Sequence, residues 1–104
     1  MNQEILKTIQ ELNKQANDAL AVGDLEQARA VCRKALKINK KSAMTCKIMG
    51  DIGQAKCKPK RAKQWYKKAI DLQPQLVGAY INLGNIHSAA AEWDKALFCF
   101  LVIK

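Results

Sequence analysis

Apolar side chains recur at Ile5, Ile9, Leu12, Ala16, Ala19 and Leu20. Steps of three and four put them on one face of a helix, so MNQEILKTIQELNKQANDALAV predicts a helix over residues 1–22. Gly23 stops it, being free to take positive φ just past a helix end. Asp24 suits the N-cap of the next helix, LEQARAVCRKALKI, because its carboxylate can accept from first-turn N–H groups that have no other partner. Helix, short break, helix then continues along the chain. Pro59 stands where a further helix should begin, and a proline in the first turn sacrifices no hydrogen bond. Gln73-Pro74 closes that helix, since the residue before proline is driven from the helical region. AYINLGNIHSAA and EWDKALFCFLVIK give the last two helices. The pattern predicts an all-α chain.

Shifted by 34 residues, the sequence falls into step without an insertion. Met49-Gly50-Asp51-Ile52 lies over Leu83-Gly84-Asn85-Ile86. Ala28, Ala62 and Ala96 align, as do Cys32, Tyr66 and Phe100. The units run over residues 9–42, 43–76 and 77–104, the last incomplete. Small residues at Ala16, Gly50 and Gly84, facing the aligned alanines, let the two helices of a hairpin approach closely. Tyr66 and Phe100 then fill the space towards the neighbouring hairpin. Each hairpin leaves an apolar face that stacking closes.

This pattern resembles the tetratricopeptide repeat family, whose 34-residue signature is W-x2-L-G-x2-Y, then Ala, Phe and Pro. Unit three carries Tyr80, Leu83, Gly84, His87, Ala96 and Phe100 at those positions. Unit two carries Cys46, Met49, Gly50, Gly53, Ala62, Tyr66 and Pro74. Unit one is the most degenerate, with Gln15 where the pattern has Leu. Gly53 replaces Tyr, and the second hairpin is expected to be underpacked unless Trp65 or Tyr66 compensates. The resemblance implies one right-handed α-solenoid of stacked hairpins, working as a protein-interaction scaffold with a protein or peptide partner.

It also implies a concave groove lined by the first helix of each hairpin. The candidate peptide-binding residues are Asn13, Asn17, Lys47, Ile48, Asp51, Ile81, Asn82 and Asn85. The aligned column Asn17, Asp51 and Asn85 is the most telling, since an amide both donates and accepts and can hold a peptide backbone without reading its sequence. A clamp for chaperone C-terminal carboxylates is not expected: its positions hold Asn13 and Asn17, then Ile48, then Gly78 and Asn82, and only Asn17 matches. Family analogy also leaves room for further repeats or a group-transfer domain downstream, with this chain the N-terminal part of a larger protein.

Charge alters the picture on the outer face. The net charge is +9, and fourteen of the eighteen basic residues lie between Arg29 and Lys68, with Asp51 the one acid among them. Arg29, Arg33 and Lys37 form a stripe at intervals of four, and Lys60, Lys63 and Lys67 form another. A solvated convex face is the plain reading of such stripes. The alternative is a basic adaptor binding nucleic acid or another polyanion through that face. No aromatic side chain interleaves the outer stripe in a stacking pattern, and no nucleic-acid motif accompanies it.

Catalysis finds no support: there is no nucleophile–His–acid set, no glycine-rich phosphate loop and no metal-spaced cluster, so no cofactor or metal is expected. His87 fits a core position. The longest apolar run, FCFLVI, is too short to span a bilayer, and the polar N-terminus lacks a secretory core, pointing to the cytoplasm. Reduced thiols follow from that compartment. Cys32 and Cys99 are expected to be buried, and Cys57, among Lys56, Lys58 and Lys60, the most reactive. At the C-terminal end Phe98, Leu101 and Val102 replace residues that are polar or small in the earlier units. They form an apolar surface expected to support homo-oligomerisation, beside an inward Phe100 and Ile103.

Overall fold

In a computed structural model describing residues 3–103, six helices form where the periodicity places them. They are α1 (Gln3–Ala21), α2 (Leu25–Ile38), α3 (Ala43–Ala55), α4 (Pro59–Leu72), α5 (Val77–Ala89) and α6 (Trp93–Leu101). The predicted first two positions of α1 and the predicted last residue of α6, Lys104, lie outside the described residues. Within them α6 stops at Leu101, with Val102 as its C-cap, two residues before Ile103. The Asp24 carboxylate accepts from the Gln27 N–H at 3.2 Å and caps α2. Pro59 opens α4, and Gln73 caps its end.

The three hairpin turns share one geometry. Gly23, Cys57 and Ala91, at 34-residue spacing, all adopt left-handed backbone, with φ of 83°, 58° and 59°. The next N–H in each turn reaches back to a carbonyl of the helix just ended: Asp24 to Ala19, Lys58 to Gly53 and Glu92 to His87. These bonds occupy carbonyls that a helix end otherwise leaves unpaired. Only the first turn uses glycine. A left-handed L-residue costs about 1–2 kcal/mol, offset in part by the extra unfolded-state freedom of glycine. Ala91→Gly is therefore expected to stabilise the fold by about 0.5–1 kcal/mol. A urea midpoint that stays put or falls would contradict this account of the turn.

Within the second and third hairpins the contact is set by ring against glycine. A Cβ on Gly50 would lie 2.5 Å from the Tyr66 ring, and one on Gly84 would lie 2.6 Å from the Phe100 ring. Gly53 corrects the expectation of a poorly filled hairpin. Ala62 closes on it so tightly that a Cβ would meet the Ala62 backbone at 3.2 Å. The missing Tyr is answered by helices that come nearer, not by a void. Tyr66 is fully buried, whereas Phe100, expected inward, keeps 39% of its surface exposed, α5 being the one element among the described residues that packs on α6.

The core has two contiguous parts. Leu12, Val31, Cys32, Ile48, Met49 and Ile52 pack between the first and second hairpins. Cys46, Tyr66, Leu76, Leu83, Ile86 and Cys99 pack between the second and third. Leu36 and Trp65 touch both parts. The first helices of successive hairpins meet, α1 with α3 and α3 with α5, while α2 and α4 stand apart, as do α4 and α6. An array whose first helices crowd and whose second helices splay is concave on the first-helix side. That curvature positions both candidate surfaces.

Candidate functional site

The concave face is organised around Asp51. Its Oδ1 accepts from the Tyr66 hydroxyl at 2.5 Å and from Asn82 Nδ2 at 2.8 Å. Its Oδ2 pairs with Lys47 Nζ at 2.8 Å. Gln54 Nε2 donates to the same Tyr66 oxygen at 2.7 Å. Burial first, then the neighbouring Asp51 carboxylate, pushes the Tyr66 hydroxyl far above its ordinary value, so it remains a neutral donor. Lys47 reaches over Gly78, where a Cβ would come within 3.3 Å of its side chain. Asn82 thus ties α5 to α3 through the Asp51 carboxylate, while Lys47 pairs with it from within α3.

Sequence reasoning placed eight residues in this groove, and the structure sorts them. Asn17, Asn85 and Ile81 are exposed, and Lys47, Asp51 and Asn82 form the linked group. Two are corrected. Ile48 is fully buried in the core, because its position on α3 faces the first hairpin and not the cavity. Asn13 is also buried: Thr45 Oγ1 donates to its Oδ1 at 2.6 Å, and Ser42 Oγ lies 2.6 Å from the same hydroxyl. Asn13 therefore pins α1 to the start of α3. Asp51 is not a free groove group either, since three partners already engage it. Sequence reasoning missed Thr45, Gln54 and Tyr66 as polar partners. Thr45 inside the apolar run AMTC and Asn13 beside Leu12 were the available signals.

On the convex side the basic residues divide between two clefts. Arg29, Arg33 and Lys37 do share one wall, facing Arg61 and Lys68 of α4 across an opening of about 800 Å³. Lys63 and Lys67 turn the other way, into a cleft of about 580 Å³ between α4 and α6 that also holds Asp71 and Asp94. Lys60 is exposed near the start of α4. Trp65 lies half-buried between the two basic walls, with Lys68 Nζ 5.5 Å from its ring centroid.

His87 is buried, its Nδ1 2.9 Å from Glu92 Oε1. His87, with Lys95, holds the Glu92 carboxyl below its ordinary value. Cys32, Cys46 and Cys99 are buried, while Cys57 is exposed in its turn. Burial pushes the Cys32 thiol up to about 12, and it raises those of Cys46 and Cys99. On α6, Trp93, Leu97, Phe98 and Leu101 are 65%, 56%, 66% and 69% exposed. Trp93 and Leu97 extend the apolar surface read from Phe98, Leu101 and Val102. Among the described residues no helix is long and apolar enough to cross a membrane.

The family model described as tetratricopeptide repeat matches residues 19–42 and 48–76. The chain is 25% identical over 88 residues, 85% of its length, to tetratricopeptide repeat protein 37 of Xenopus laevis, and it spans 6% of that relative. Among solved structures, PilF of Pseudomonas aeruginosa superposes with a TM-score of 0.90 at 23% identity, covering 95% of this chain and 45% of that one. The second repeat domain of Spaghetti (RPAP3), solved with an HSP90 peptide, superposes with a TM-score of 0.83 at 14% identity, covering 99% of this chain and 100% of that one. At these identities the superpositions show a shared fold.

Proposed function

Because this chain belongs to the tetratricopeptide repeat family, we propose that it is a protein-interaction scaffold holding a partner segment in its concave groove. The observation that carries the reading is the anchored group Lys47, Asp51 and Asn82, which rigidifies the α3–α5 floor while Asn17, Ile81 and Asn85 stay exposed beside it. A preformed floor lowers the ordering cost of capturing an extended segment. The exposed amides supply donors and acceptors for its backbone, and Ile81 supplies an apolar contact. The positions of a chaperone-tail clamp hold Gly78 and Asn82 here, and Asn82 already serves Asp51, so carboxylate capture of that kind is not part of the proposal.

The test uses peptides selected from a displayed random library against the whole chain. Asn17→Ala with Asn85→Ala and Ile81→Ser should weaken a selected peptide about tenfold or more, since a few central contacts dominate such interfaces. Asp51 is left intact, because its loss would disturb packing. Undiminished binding by the triple variant would place the partner elsewhere.

The exposed surface of α6 supports a second contact, self-association. Trp93, Leu97 and Leu101 recur at intervals of four along one strip, with Phe98 and Val102 beside it. Sedimentation of the 104-residue chain should show a concentration-dependent dimer that Leu101→Glu with Val102→Lys abolishes. A wild type that stays monomeric at high concentration would rule this contact out.

A further inference from the structure

We propose that the cleft between α2 and α4 is a separate docking site, taking an acidic segment of another protein that carries a large apolar side chain among its carboxylates. This inference concerns the convex side and does not depend on what the concave groove binds. The site exists because α2 and α4 both pack on α3 but stand apart from each other. Its opening of about 800 Å³ is the size of sites that enclose several side chains or a small ligand. Both wall helices have 14 residues, about 21 Å, which matches an extended segment of about six residues.

The cleft is amphipathic in a way that specifies its occupant. Leu36, Met49 and Trp65 form its apolar floor. Arg29, Arg33 and Lys37 rise on one side, Arg61 and Lys68 on the other, and Lys40 stands beyond the end of α2. No carboxylate is among the described residues that line it. The nearby Glu26 is held by Lys56 at 2.9 Å. Six cations around one opening repel each other, and only an anionic occupant turns that repulsion into attraction. The floor asks for more than charge, since an acid-only occupant would leave the half-buried Leu36 and Trp65 wet.

Single-stranded nucleic acid fits less well. Such strands bind on successive exposed aromatics. Here the one aromatic, Trp65, is half-buried in both parts of the core, and the Lys68 ammonium already stands over its ring. Leu36, half-buried above the buried Met49, is a partner for an aliphatic or aromatic side chain and offers no stacking platform.

The test titrates the whole chain against a short fluorescent peptide of Asp and Glu with Leu or Phe at its central position. Two further probes are the same peptide with Ser at the apolar position and an oligouridylate of equal length. Arg33→Glu with Arg61→Glu changes two exposed positions, so circular dichroism should be unaltered. Peptide binding should fall about tenfold or more in this variant. Lys7→Glu with Lys14→Glu, the same change in net charge on α1, should lower it by less than about twofold. The Ser peptide should bind about tenfold more weakly, the worth of burying one large apolar side chain. Asn17→Ala with Asn85→Ala should leave the affinity unchanged, separating this cleft from the groove. Equal binding of the Ser peptide, equal losses in the two charge variants, or tighter binding of oligouridylate would each overturn the proposal.

Discussion

Tyr66→Ala should remove about 3–5 kcal/mol of stability, a large part of what a domain of this size possesses. The ring is fully buried, lies directly on Gly50 and belongs to the core between the second and third hairpins. Its loss opens a cavity that the helices cannot close, because Ala62 already touches Gly53. Tyr66→Phe keeps the ring and deletes only the hydroxyl that donates to Asp51 and accepts from Gln54. It should cost about 1–2 kcal/mol. Urea unfolding of the pair measures both numbers. If Phe is as damaging as Ala, the hydrogen bonds outweigh the packing, and the ring-on-glycine account of this hairpin is wrong.

Asp51→Ala is expected to cost about 2–3 kcal/mol, although the residue is only partly buried. One carboxylate serves the Tyr66 hydroxyl, Asn82 and Lys47, and its removal leaves the first without an acceptor. Because Asn82 belongs to the third hairpin, the loss falls on the coupling between neighbours. Stability in stacked repeats is close to a sum of unit and interface terms. The urea transition should therefore broaden, with amide exchange in α5 and α6 accelerating before that in α1 and α2. Asp51→Asn retains an acceptor for Tyr66 and Asn82 and loses only the part-exposed pair with Lys47, so it should cost under about 1 kcal/mol. Equal effects of Ala and Asn, or a transition that stays sharp, would show that the carboxylate does not join the hairpins.

The sequence by itself determined the helices, the 34-residue register and the faces that stack. Apolar spacing, Asp24, Pro59 and the aligned Ala28, Ala62 and Ala96 are local signals, and each acts within one or two helical turns. Gly23 announced its left-handed turn, whereas Cys57 and Ala91 adopt the same backbone with no residue preference to reveal it; the repeat register was the only pointer. What tertiary structure decided lies at the borders of each helical face. Periodicity says which side of a helix is inward, but the crossing of neighbouring helices decides which border residues they cover. Asn13 and Ile48 went inside, while Asn17 and Ile81 stayed out. Asp51 was legible as a groove column but not as a node, because its partners Tyr66 and Asn82 come from two other helices. The basic belt was countable in one dimension. Only the splay of α2 from α4 divided it, setting Arg29, Arg33 and Lys37 against Arg61 and Lys68 across Trp65 and sending Lys63 and Lys67 into the next cleft, since a stripe's spacing carries no information on which neighbour it will face.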